Sequence, residues 1–171
     1  MTYLGVRHQA AVTAESEHRR GVRAERVEAF SAFIESVQGA HAALIAARVE
    51  LGALGSASDE TEALEDAESV LEHMQTASSD IAIAAKWQAK ILILGPQGLV
   101  SSSIDVLQAL RARASAMGHA TPMIMNGVDG ADHWQERESE ASRSWTDAFG
   151  AFTARAAHAL EGREIPTPRS E

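Results

Sequence analysis

Apolar and polar residues recur in steps of three and four along nearly the whole chain, the period of a helix with one buried face. Val27, Phe30, Ile34, Val37, His41, Leu44, Arg48 and Leu51 form the clearest such stripe. Phe33, Ala40 and Ala47 widen it, as a globular bundle requires. Upstream, from about Arg7 to Arg26, the stripe fades while helix propensity persists. There Glu15 precedes Arg19 by four residues and Glu17 precedes Arg20 by three, an order that favours helical ion pairs. Gly52 and Gly55 predict a stop near Leu51. The first helix is therefore expected over about 7–51, roughly 65 Å long at the usual rise per residue.

A second helix is predicted over 59–94. Asp59 with Glu62 resembles a capping box, and Glu60, Glu62, Glu65 and Asp66 suit a helix N-terminus. Its stripe reads Leu64, Ala67, Leu71, Met74, Ser78, Ile81, Ala85, Gln88 and Leu92. The run Ile91 to Leu94 followed by Gly95-Pro96-Gln97-Gly98 resembles a strand entering a phosphate loop. Yet the helical stepping passes straight through it, and no second strand is available for pairing. No lysine follows the second glycine, as a phosphate loop needs. Gly95 is thus read as a helix stop and Pro96 as the first position of a third helix, over 96–117. Val100, Ile104, Leu107, Leu110, Ala114 and Met117 form its stripe, and Gly118 ends it. A fourth helix is predicted over 132–161, with Trp134, Ala141, Trp145, Ala148, Phe149, Phe152, Ala156, Ala159 and Leu160 on one face. The sum is all-α: an antiparallel four-helix bundle in a single domain, 1–162, whose long first helix overhangs the rest. Residues 163–171 are expected to be a disordered tail.

Composition narrows the possible roles more than it names one. The chain has 171 residues, no cysteine and a formal charge of −9. Thiolate metal sites and disulfides are therefore excluded. The acidity argues against nucleic acid as a partner, although Arg19, Arg20, Arg23 and Arg26 make a local basic stretch. No apolar run reaches the length of a membrane span, and no signal-peptide pattern opens the chain, so a cytoplasmic location is expected. Lys86 and Lys90 are the only lysines.

Candidate chemistry is sparse. Glu15 and His18 form one Glu-x-x-His, but a di-metal bundle needs two such motifs, and His133 with Glu136 has the reverse order. No metal, cofactor or catalytic residue is predicted. His41, Gln88 and Trp145 lie on stripes and are candidates for contacting a ligand inside the bundle. Met123, Ile124 and Met125 fall in a predicted connection, where an apolar loop could dock a partner or fold over the end of the bundle.

The stretches RRGVRAERVEAFSAFIESV (19–37) and ILILGPQGLVSSSIDVLQAL (91–110) resemble small, uncharacterised helical proteins of GC-rich actinobacteria. In that group an arginine-rich helix leads into an aromatic stretch and a later Gly-Pro marks a turn. The resemblance covers about a quarter of the chain and implies a helical fold without an activity. The reading that follows is a non-catalytic interaction or scaffold protein. It would form a homo-oligomer or dock a protein partner through the first helix. The rival is a small-molecule-binding bundle, enzymatic or not, with a pocket near His41.

Overall fold

The computed structural model describes the backbone of residues 3–126 and 133–161, and the side chains of residues 15–126 and 133–161. Four helices make up these segments: α1 (Tyr3–Leu54), α2 (Glu60–Leu94), α3 (Gln97–Met125) and α4 (His133–Glu161). No strand is present among the described residues, so the expected all-α bundle holds. The predicted tail, 163–171, lies outside them.

Each helix boundary has a local cause. At the start of α2, Asp59 accepts hydrogen bonds from the N–H groups of Thr61 and Glu62, each at 2.9 Å. Glu62 reaches back one residue further than a capping box requires. Its Oε2 accepts from the backbone N–H and the hydroxyl of Ser58, both at 2.8 Å, and these bonds lower its pKa. At the other end, Gly95 closes α2 through an N–H bond to the Ile91 carbonyl. A Cβ at Gly95 would lie 2.7 Å from that oxygen, so the tight turn requires glycine. Pro96 sits at the N-cap of α3, one position before the one expected for it.

Two ends differ from the prediction. α1 continues past Gly52 to Leu54, because Leu51 and Leu54 are both buried in the core. α3 runs through Gly118 and Pro122 to Met125. The expected connection at Met123, Ile124 and Met125 is therefore the last turn of a helix. Proline in a helix interior loses one N–H bond and costs about 3 kcal/mol. Here the same turns bury Met117, Ala120 and Thr121 and pack Ile124 on the core. Tertiary packing outweighs the local penalty.

The core is one contiguous cluster drawn from all four helices. Many of its positions in α1 and α2 are alanine, including Ala29, Ala40, Ala43, Ala47, Ala67, Ala77 and Ala84, so these two backbones run close together. Gly39 on α1 is one close point: a Cβ there would come within 2.5 Å of the Asp80 carboxylate on α2. α3 and α4 form the second close hairpin, and α3 also packs on α1 and α2. α4 makes only a light backbone approach to α1. Large rings fill that wider gap. Phe152 meets Phe33 at 4.8 Å and Phe30 edge-on at 6.5 Å.

α1 outruns its partner, as the stripe suggested. The Arg26 Nε–H donates to the carbonyl of Leu94, the last residue of α2, at 2.7 Å. The α1 residues before Arg26 therefore extend past the end of α2, over about 34 Å of helix. Within that extension, residues 15–25 are exposed apart from half-buried Ser16 and Val22.

Candidate functional site

The most concentrated chemistry in the molecule is a buried charged cluster where α1, α3 and α4 meet. Arg113 of α3 is 1% exposed and Glu138 of α4 is 0% exposed, which places two opposite charges inside the core. Both sit at helical spacing among apolar neighbours. Leu110, Arg113 and Met117 step by three and four, as do Trp134, Glu138 and Ala141. The Arg113 Nε–H and Nη2–H both donate to Glu138 Oε1, at 2.9 and 2.6 Å. The second carboxylate oxygen lies 3.1 Å from Nη1 of Arg48 on α1. That contact is an ion pair without an aligned hydrogen bond, so Oε2 has no bonded partner among the described residues.

His41 completes the cluster from α1. Arg113 Nη1 lies 2.5 Å from His41 Nδ1. An arginine can only donate, so Nδ1 accepts and the imidazole proton resides on Nε2. Burial lowers the His41 pKa, and the Arg113 charge lowers it further, with Glu138 acting in the opposite sense. The imidazole also lies flat on Trp145, 3.6 Å between ring centres and 7° from parallel. Trp145 in turn stacks on Phe149 at 5.0 Å. The Trp145 indole nitrogen is buried with no hydrogen-bond partner among the described residues.

Two of the predicted ligand residues, His41 and Trp145, thus come together, and Gln88 does not. Gln88 lines a separate groove between α2 and α3. Arg113 and Glu138 were missed because charged residues are normally read as surface. The seven-residue gap between Trp134 and Ala141 in the α4 stripe, filled by Glu138, was the available signal.

Both oxygens of Glu138 face guanidinium groups, and burial keeps bulk water away. His41 presents one ring face to Trp145 and Nδ1 to Arg113, and is half-buried. A groove of about 620 Å³ lies between α3 and α4, flanked by Asp105, His119, Arg137 and Glu140, and His41 does not line it. No group of three or more potential metal ligands occurs among the described residues, Glu15 and His18 included.

The predicted partner-binding arginines divide. Arg26 is committed to the end of α2. Arg19 pairs with Glu15 at 2.5 Å on the exposed helix surface. Arg20 and Arg23 are exposed, and Arg19, Arg23 and Arg26 border a shallow groove against Ala159 and Leu160 at the end of α4. Met123 and Ile124 are half-buried and Met125 is exposed at the far end of the bundle. Among the described residues, no helix is long and apolar enough to cross a membrane. No family model, curated protein or solved structure matches this chain.

Proposed function

We propose that this chain is a non-catalytic helical interaction protein, acting by self-association or by docking a protein partner. The observation that carries this reading is the extension of α1. One continuous helix is rooted in the core by Phe30, Phe33, Val37 and Leu44 and projects past the last residue of α2 with exposed arginines. Past Leu94 this helix end has, among the described residues, only the edge of a shallow groove against Ala159 and Leu160 of α4 beside it, and helices with little packing are marginal in water. A partner surface laid along it would supply the missing contacts. The buried Arg113–Glu138 pair supports the same reading, since with His41 it ties three helices to one another.

The test compares the full chain with the triple variant Arg19→Glu, Arg20→Glu, Arg23→Glu. Native mass spectrometry and affinity capture would be run on both, with circular dichroism as the fold control. The expected result is an assembly or a captured partner that the variant loses while its helicity is unchanged. A full chain that stays monomeric at millimolar concentration and retains no protein overturns the proposal.

A further inference from the structure

A second seam runs along α2 on its outer side. Leu64, Leu71, Ser78, Ala85 and Leu92 repeat every seven residues. Glu68, Gln75, Ala82 and Ala89 interleave them at the spacing of a coiled-coil stripe. None of these is fully buried. Leu64, Leu71 and Leu92 are 56%, 62% and 64% exposed. The core-facing stripe of α2 is a different one, Ala67, Val70, Ala77, Ile81, Ala84 and Ile91. A heptad stripe that its own bundle leaves largely uncovered, with Ala85 alone of it packed against the core, is a helix-sized docking face.

We propose that the occupant of this face is α2 of a second copy, running antiparallel about a two-fold axis at Ser78. Three features specify that partner and that direction. First, the seam is symmetric about Ser78. Leu64 and Leu92 are equally far from it along the helix, as are Leu71 and Ala85, so in the reversed helix Leu64 comes level with Leu92 and Leu71 with Ala85. Second, the sizes match. Beside Ala85, Ala89 and Leu92 the surface sinks into a groove of about 370 Å³, walled on the α3 side by Val100 and Ile104. Leu71 of one copy would sit over Ala85 of the other, and Leu64 over Leu92, where that groove begins.

Third, the charges are arranged for reversal. The first half of α2 carries Glu68 in the seam and Glu65 and Glu72 beside it, and the second half carries both lysines of the chain, Lys86 and Lys90. In the antiparallel pair Lys90 comes level with Glu65 and Glu68, and Lys86 with Glu68 and Glu72. A parallel pair would stack like on like. These groups are exposed, and among the described residues Lys90 has a 4.0 Å contact to Glu28 of α1 and a position above the Trp87 ring. The small residues at the centre, Ser78 and Ala82, let the two helices approach closely. The seam is about 42 Å long and one helix wide, which places it among small interfaces and makes the dimer reversible.

This inference deepens the interaction reading by naming one surface and its partner, and it is tested without reference to the α1 extension. The chain has no cysteine, so introduced thiols report cleanly. Ser78→Cys lies on the axis and is expected to form a disulfide dimer with itself under mild oxidation. Leu64→Cys alone and Leu92→Cys alone should still associate but form no disulfide with themselves, while a mixture of the two cross-links. Leu71→Glu should weaken the dimer more than about tenfold, because it removes an apolar contact and buries a charge, with monomer helicity unchanged. Self-cross-linking of Leu64→Cys would mean a parallel pair and overturn the proposal. Sedimentation showing a monomer at all concentrations would also overturn it. If a dimer forms that ignores Leu71→Glu and is lost in the arginine triple variant, α2 is not the interface and the α1 reading stands alone.

Discussion

Removing the Glu138 carboxylate should be among the most damaging single changes available to this chain. In Glu138→Ala the Arg113 guanidinium remains 1% exposed and loses both hydrogen bonds to Oε1. Only the His41 Nδ1 contact is left to it. A buried charge stripped of its partner costs about 3–5 kcal/mol. Arg48 is half-exposed and can turn to water, so its loss adds little. Urea unfolding followed by circular dichroism reads the effect directly. With a slope of about 1–3 kcal/mol per molar urea, the midpoint should fall by about 2 M without a change in slope. The paired replacement Arg113→Met, Glu138→Leu removes both charges and keeps the volume. It should lie within about 1 kcal/mol of the parent or above it, since apolar packing commonly replaces buried ion pairs at no loss. A Glu138→Ala cost below about 1 kcal/mol, or a double variant as weak as the single one, would refute the reasoning. Either would mean that water reaches the pair in the folded chain.

Two further predictions follow from single contacts. Because the folded His41 pKa lies below the ordinary 6.5, the unfolded chain takes up this proton first as the pH drops. Stability should therefore decline below about pH 6.5 and be independent of this group above it. Thermal unfolding across that range in the parent and in His41→Phe checks this, and the variant should show a shallower slope. At Gly39, alanine should gain little or lose stability, because its methyl group would meet Asp80 at 2.5 Å. In an Asp80→Ala background the same change should recover about 1 kcal/mol of helix propensity, measured by the shift in urea midpoint.

The fold was legible because it is written in local terms: period, caps and the Gly-Pro turn. The Ile91 to Leu94 run shows why pattern outranks composition, since its continuity with the α2 stripe identified a helix where the residues alone suggest a strand. The stripes themselves were less well resolved. In α2 the predicted set mixed two faces, with Ala67, Met74 and Ile81 turned inward, Leu64, Leu71 and Leu92 outward, and Gln88 in the groove beside α3. A shift of one residue turns a helix by about 100°, and an apolar outer seam is indistinguishable from a core seam until the neighbours are known. Gly118 and Pro122 misled in the opposite way, because their intrinsic cost is local while the packing that offsets it comes from other helices. The charged cluster lay furthest from view. His41 and Trp145 stood out on their own helices, but Arg113 and Glu138 acquire meaning only when α3 and α4 are placed side by side.

The uneven spacing of the helices has a consequence for how the molecule comes apart. α1 and α2 meet backbone to backbone through alanines, and so do α3 and α4, whereas α4 reaches α1 chiefly through rings and one buried carboxylate. The two hairpins are therefore natural units of partial opening. Under native conditions amide hydrogens should exchange in a hierarchy: the part of α1 beyond α2 first, the α3–α4 hairpin next, and the α1–α2 hairpin at its alanine seam last. Loss of the Phe152 and Glu138 contacts would release α4 while leaving the longest helix pair standing.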